Sequence, residues 1–178
     1  MTYGAIYADP PWTFQTWSKR GRGRAAERHY KSTSKLDRIK TMPIEKLAAD
    51  DCALFLWATW PNLDDARAVI EAWGFTYKTC AFLWVKQTKK ANGLHFGLGY
   101  WTRANSEPCL LATRGKPKRL HADVPQIIME PVREHSRKPD CARQRIERLV
   151  AGPYVELYAR SQCPNWDHWG NETEKFSG

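Results

Sequence analysis

Gly4-Ala5-Ile6-Tyr7-Ala8-Asp9-Pro10-Pro11-Trp12 is the stretch on which the fold turns. Its first five residues are an apolar run without polar alternation, the pattern of a short strand buried on both faces, and two prolines forbid its continuation past Asp9. Outward from it, Cys52-Ala53-Leu54-Phe55-Leu56-Trp57-Ala58 reads as a second such strand. After Pro61-Asn62, a helical stretch places Leu63, Ala66, Val69, Ile70 and Trp73 on one face and stops at Gly74. Residues 79–85 and 108–113 read as two further strands. Pro139-Asp140 opens a helix with Ala142, Ile146, Leu149 and Val150 inward, and Ala151-Gly152-Pro153 ends it before a strand over 154–159. Apolar strands alternating with amphipathic helices predict an α/β fold, a mostly parallel sheet with helices on both faces. Ligands in such sheets lie at the carboxyl ends of strands, which puts Asp9-Pro10-Pro11-Trp12 and Arg160-Ser161 at the edge of the expected site.

A length of 178 residues with 42% hydrophobic content suits one domain over 1–178. The formal net charge of +9 is unevenly spread. Residues 18–40 and 86–119 carry +7 each, which leaves −5 for the remainder. Both segments are rich in Gly, Ser, Thr or Asn and read as basic loops, about 18–40 and 86–105, on a mildly acidic body. Tyr30, His95, Phe96, Tyr100 and Trp101 are interleaved with the cations, as a phosphate track with stacking platforms requires, so nucleic acid is the expected partner. Five dispersed cysteines without a CxxC pair, and five histidines without ligand spacing, predict neither a disulfide framework nor a metal site. No apolar run is long enough to span a membrane, and the N-terminus lacks the character of a secretory signal, so a cytoplasmic location is expected.

Asp9-Pro10-Pro11-Trp12 resembles the Asp/Asn-Pro-Pro-aromatic loop of amino-group methyltransferases. An exocyclic amine is a poor nucleophile because its lone pair is delocalised into the ring. Two acceptors must hold both amino hydrogens so that the lone pair points at the methyl donor. The Asp9 carboxylate can be one and the Pro10 carbonyl the other, with Pro11 stiffening the loop. Trp12 can offer a face to the base. Taken alone, the tetrapeptide equally fits a turn with Trp12 as a core anchor.

The whole chain is similar to the N(6)-adenine methyltransferases named after the seventy-kilodalton subunit of the mRNA adenosine methyltransferase. The resemblance is carried, in order, by Tyr7 to Trp12, Leu54-Phe55-Leu56-Trp57-Ala58-Thr59, Trp73-Gly74-Phe75 and Leu83-Trp84-Val85-Lys86. It continues through Gly99-Tyr100-Trp101, Glu107-Pro108-Cys109-Leu110 and His135-Ser136-Arg137-Lys138-Pro139-Asp140. It closes with Ile146-Glu147-Arg148-Leu149, Glu156 to Arg160, Asn165-Trp166 and Trp169-Gly170-Asn171-Glu172. It implies a permuted Rossmann-like fold with S-adenosylmethionine as donor and adenine as acceptor, DNA in preference to RNA, the target base flipped or single-stranded. A second copy or a related subunit is a further implied partner. By motif, Asp9, Pro10, Pro11 and Trp12 would carry the chemistry. Asp9, Ser136, Lys138, Arg160, Ser161, Asn171 and Glu172 would hold the cofactor. Trp12, Tyr30, Trp101, Arg103, Glu107 and Lys138 would meet the substrate. Two departures are expected to matter. Only eight residues precede Asp9, so the cofactor's adenine pocket is expected to be completed differently or the cofactor to bind more weakly, and Ser161-Gln162 stands where relatives can carry His-Asn. A catalytically silent nucleic-acid-binding subunit and a methyltransferase acting on cytosine are the readings left open beside it.

Overall fold

A computed structural model describes residues 1–12, 36–134 and 137–170. In chain order the elements are β1 (Tyr3–Ala8), α1 (Leu36–Lys40), β2 (Ala48–Trp57), α2 (Leu63–Ala72), β3 (Thr76–Gln87), β4 (Ser106–Arg114), β5 (Ile127–Pro131), α3 (Cys141–Leu149), β6 (Tyr154–Leu157) and β7 (Trp166–Trp169). The seven strands form one sheet in the order β5-β3-β4-β2-β1-β6-β7. β1 pairs in parallel with β2 on one side and β6 on the other, β3 with β5 and β6 with β7 are also parallel, and only β4 runs against its neighbours β2 and β3. The sheet is mostly parallel, as expected.

Alternation along the central strands fills both faces. Ile6, Ala8, Leu54 and Leu56 face Ile39 of α1 and Ala66, Val69 and Ile70 of α2. Ala5, Tyr7, Ala53, Phe55 and Trp57 face Ala142 and Ile146 of α3, together with Phe82, Trp84 and Trp166. Each buried large side chain contributes roughly 1.5–3 kcal/mol, which explains why the runs around Ile6 and Leu54 carry no polar residue. Gly74 ends the α2 segment with φ of +78°, a conformation that costs glycine nothing.

Two expectations need correction. The first basic loop was expected to run to residue 40, but Leu36–Lys40 is helical and buries Ile39. The second basic segment is divided where the sequence placed a strand, since β4 passes through it. β4 starts beside Trp84, where Glu107 lies, and ends with Arg114 opposite Cys52, at the far end of the sheet. Lys116, Lys118 and Arg119 therefore lie beyond about 24 Å of strand from Glu107, at the rise of an extended chain. Lastly, β5 and β7, both at sheet edges, were not foreseen.

Candidate active site

β1 is the point at which the strand order turns, with its two parallel neighbours leading away on opposite sides, and a crevice opens there beyond the strand ends. Asp9 is the first residue past β1. On the neighbouring strand, Tyr158 follows β6 with φ of +61°, a left-handed conformation that costs a residue with a side chain roughly 1–2 kcal/mol. That turn brings Arg160 back toward Asp9, with a guanidinium nitrogen 3.9 Å from Asp9 Oδ2. Strain of this kind tends to be kept where it aims a functional group.

Lys138, from the loop before α3, reaches the same oxygen of Asp9 at 3.0 Å and Oε1 of Glu107 at 2.9 Å. The other Glu107 oxygen takes Lys86 Nζ at 2.6 Å. Asp9, Lys138, Glu107 and Lys86 thus form a line of alternating charge running from the end of β1 to the end of β3. Lys138 and Glu107 are more than nine-tenths buried, and buried charges persist only when paired. Burial works against ionisation of Glu107, but the Lys138 and Lys86 ammoniums outweigh it and bring its pKa down to about 2. Burial likewise opposes the charge on Lys138, and Asp9 and Glu107 overcome it, lifting its pKa above the usual lysine value. Both stay ionised at neutral pH. Lys138 and Arg160 both meet Asp9 at Oδ2.

A hydrogen-bonded aromatic frame supports the loop from below. Trp12 donates its indole N–H to the Trp57 carbonyl at 2.8 Å, and Trp57 donates its own to the Tyr7 hydroxyl at 2.7 Å. The Lys138 ammonium stands 5.7 Å from the centre of the Trp57 ring. Trp12 is only 5% exposed and belongs to the core. The structure gives it the anchoring role, in place of the expected open face for a base. Pro10 accepts a hydrogen bond from the Trp12 backbone N–H at 2.9 Å, which aims its carbonyl while leaving a second lone pair for another donor.

The crevice beside Asp9 has a volume of about 390 Å³, open solvent at its mouth included, and is lined by Tyr7, Lys138, Arg143, Glu156, Arg160 and Ser161 among others. One of its walls is a second charged group. Asp140 holds Arg133 at 2.7 Å, Arg137 at 3.2 Å and Arg143 at 2.9 Å. Arg143 also meets Glu156 at 2.6 Å and lies 3.5 Å from the Ser161 hydroxyl. Although burial favours the neutral acid, the three guanidiniums, Arg133 first, hold the Asp140 carboxyl below the usual aspartate range. Among the described residues no cluster of His, Cys, Asp or Glu could hold a metal ion.

Of the expected site residues, Asp9, Pro10, Pro11, Lys138, Glu107, Arg160 and Ser161 come together at this end of the sheet. Ser136, Asn171, Glu172 and Tyr30 lie outside the described residues. Trp101 and Arg103 do not line the crevice and stand exposed on the connection between β3 and β4. Sequence reasoning assigned no role to Trp57, Lys86, Arg143 or Glu156. The signal for Glu156 was present, since a carboxylate inside the apolar strand Tyr154-Val155-Glu156-Leu157 needs a partner. Local spacing offered Arg143 only Asp140, three residues before it; its other partners, Glu156 and Ser161, come from a strand and the loop after it.

A profile of the MT-A70 family matches residues 3–172. The type II methyltransferase M.MunI of a Mycoplasma species is 31% identical over 96% of this chain and 77% of its own length. The human N(6)-adenosine-methyltransferase catalytic subunit METTL3 is 29% identical over 97% of this chain, and this chain spans 28% of it. The mouse N(6)-adenine-specific methyltransferase METTL4 is 31% identical over 98% of this chain, which spans 38% of it.

Proposed function

The chain belongs to the MT-A70 family, and on that premise we propose that it is an S-adenosylmethionine-dependent methyltransferase acting on the exocyclic 6-amino group of adenine in nucleic acid, DNA in preference to RNA. The observation that carries this reading is the placement of Asp9, where an amine acceptor is required. It stands at the carboxyl end of β1, pinned through one oxygen by Lys138 and Arg160, with the Pro10 carbonyl one residue on. The preference for DNA rests on the mycoplasma relative, a type II methyltransferase, which this chain matches over most of both lengths.

The crevice suits the cofactor in charge. The cofactor carries an amino-acid carboxylate, two positive centres and a ribose diol. Arg160 and Lys138 offer cations for the carboxylate, Asp9 an anion near the positive centres, and Glu156 and Ser161 acceptors for hydroxyls. When bound, the group supplies an electrophilic methyl on a cationic sulfur. The protein's part is orientation. Asp9 accepts one amino N–H and the Pro10 carbonyl the other, which draws the lone pair out of the ring plane and toward the donor. Lys138 and Arg160 fix the carboxylate, and Glu107 and Lys86 fix Lys138 in turn. Because a paired base is unreachable within a duplex, the target is flipped or taken from a single strand.

The test is transfer of labelled methyl from S-adenosylmethionine to matched single-stranded and duplex DNA and RNA, followed by nucleoside analysis. Label in N(6)-methyladenine, greater on DNA, is expected. Label in cytosine, or none despite measured cofactor binding, overturns the reading.

A further inference from the structure

The connection between β3 and β4, residues 88–105, is an ordered ribbon with its apolar side chains turned outward. Leu94 bridges Gln87, His95 N–H donates to the Lys86 carbonyl, Gly97 N–H to Ala104 and Lys86 N–H to Asn105. Side chains at Gly97 or Gly99 would meet the backbone of Ala104 or Thr102, so the two glycines permit the close return of the chain. Leu94, Phe96, Leu98 and Tyr100 recur at every second position and are all exposed. At the tip, Trp101 has φ of +69°, and Thr102 N–H donates to the Tyr100 carbonyl across it at 2.8 Å. This is the rare positive-φ γ-turn, strained for any residue with a side chain. It leaves the indole 94% exposed, with no described residue packed behind either face.

We infer that Trp101 is a wedge that enters duplex nucleic acid and fills the space left by the flipped adenine. The inference deepens the reading of the chain as an adenine methyltransferase and rests on it. An aromatic platform in a single-strand groove is covered on one face by protein, whereas this indole is bare on both, the requirement for a ring sandwiched between two bases. Inserted side chains that replace lost stacking are a general way of offsetting the cost of unstacking a base. The charge of the ribbon selects the occupant, since 88–105 contains Lys89, Lys90 and Arg103 and no carboxylate. Position agrees as well. Trp101 is six residues from Glu107, a span of at most about 20 Å, so the wedge can reach the stack while its base lies in the crevice. The strained turn holds the indole outward before DNA arrives, so little order has to be created on insertion.

The experiment compares the wild-type protein with Trp101→Ala and Trp101→Phe on three DNAs of one sequence. These are a single strand, a duplex, and a duplex whose target adenine faces an abasic site. A duplex with 2-aminopurine at the target position reports flipping independently of methyl transfer. Trp101→Ala is expected to lower kcat/KM on the intact duplex about 10- to 100-fold, the loss usual for a base–aromatic stack, and to abolish the 2-aminopurine rise. Activity on the single strand should stay within about twofold, the abasic duplex should regain most of the loss, and Phe should be intermediate. Equal losses on single strand and duplex, no loss at all, or a shift in sedimentation marking Trp101 as a contact between copies would each overturn the wedge. A wild-type protein that flips 2-aminopurine yet never methylates adenine overturns the functional reading and leaves the wedge standing.

Discussion

The buried charge line, the floor of the site, and the ribbon between β3 and β4 lie within a few residues of each other in sequence and are built on opposite principles. Lys86 and Glu107 belong to the strands that flank the ribbon, and both are locked in a buried line of ion pairs with Lys138 and Asp9. The ribbon between them buries almost nothing and is shaped by glycines and backbone hydrogen bonds. In the floor, position is set by charges that cannot be left unpaired away from water, so any one residue depends on its partners. In the ribbon, position is set by the backbone, and the large apolar side chains face outward. The first arrangement suits a group that must be correctly placed before reaction. The second suits one that must be covered on binding.

The sharpest way to break the contrast is Asp9→Ala. Removing the carboxylate acceptor should lower transfer by about 10²- to 10³-fold, the usual effect of deleting one preorganised polar contact at a reacting group. Lys138 keeps Glu107 as a partner, so the protein should still fold, and calorimetry should still detect cofactor binding. Retention of near-normal transfer would remove Asp9 from the chemistry.

Glu107→Gln probes the floor through stability. The native pKa of about 2 lies below the ordinary value of 4.5, so ionised Glu107 stabilises the fold above about pH 4.5. That contribution, on the order of 3 kcal/mol for a shift of this size, is lost as pH falls toward the native value. Urea unfolding should therefore show the wild type ahead of the variant at pH 6, with the gap closing toward pH 3. A gap independent of pH would show that the charge of Glu107 does not support the floor.

Gly99→Ala belongs to the ribbon. A Cβ there clashes with the Thr102 carbonyl, so the tip must shift. Transfer to duplex DNA should fall about tenfold, one base–aromatic stack, while the melting temperature changes little because the ribbon buries little. A large fall in melting temperature with duplex activity intact would mean that the ribbon serves the fold and not the substrate. The smallest effect is expected away from both regions. Arg148→Ala removes a solvent-exposed pair with Asp123 and should change neither activity nor melting temperature measurably.

Much of this molecule was legible in its sequence because the central elements are buried on two sides. Around Ile6, Leu54 and Phe82, burial permits only apolar residues, and the resulting runs announce the strands. β5 and β7 escaped notice because they are edges. Ile127 and Met129 are exposed, β5 ends in a proline, and Trp166-Asp167-His168-Trp169 carries no run that local pattern distinguishes from a turn. In the site, the Asp9-Pro10-Pro11 loop could be read directly, since its chemistry needs adjacent residues. Trp12 could be read two ways, and the hydrogen bond to the Trp57 carbonyl settled it as an anchor.

The sequence by itself determined the α/β layering, the position of Asp9 at a strand end and the presence of basic surface, because these follow from local periodicity and the fixed geometry of proline. Only the tertiary structure decided which charges meet. Lys138 lies 129 residues from Asp9 and 31 from Glu107, and the two acids face one ammonium only because β1 and β4 are held in one sheet beside the loop before α3. The structure also divided the second basic segment, carrying residues 114–119 to the far end of the sheet, since an antiparallel strand must end where its partner begins. Pairing of charges across long loops is set by packing, and packing is a property of the whole chain.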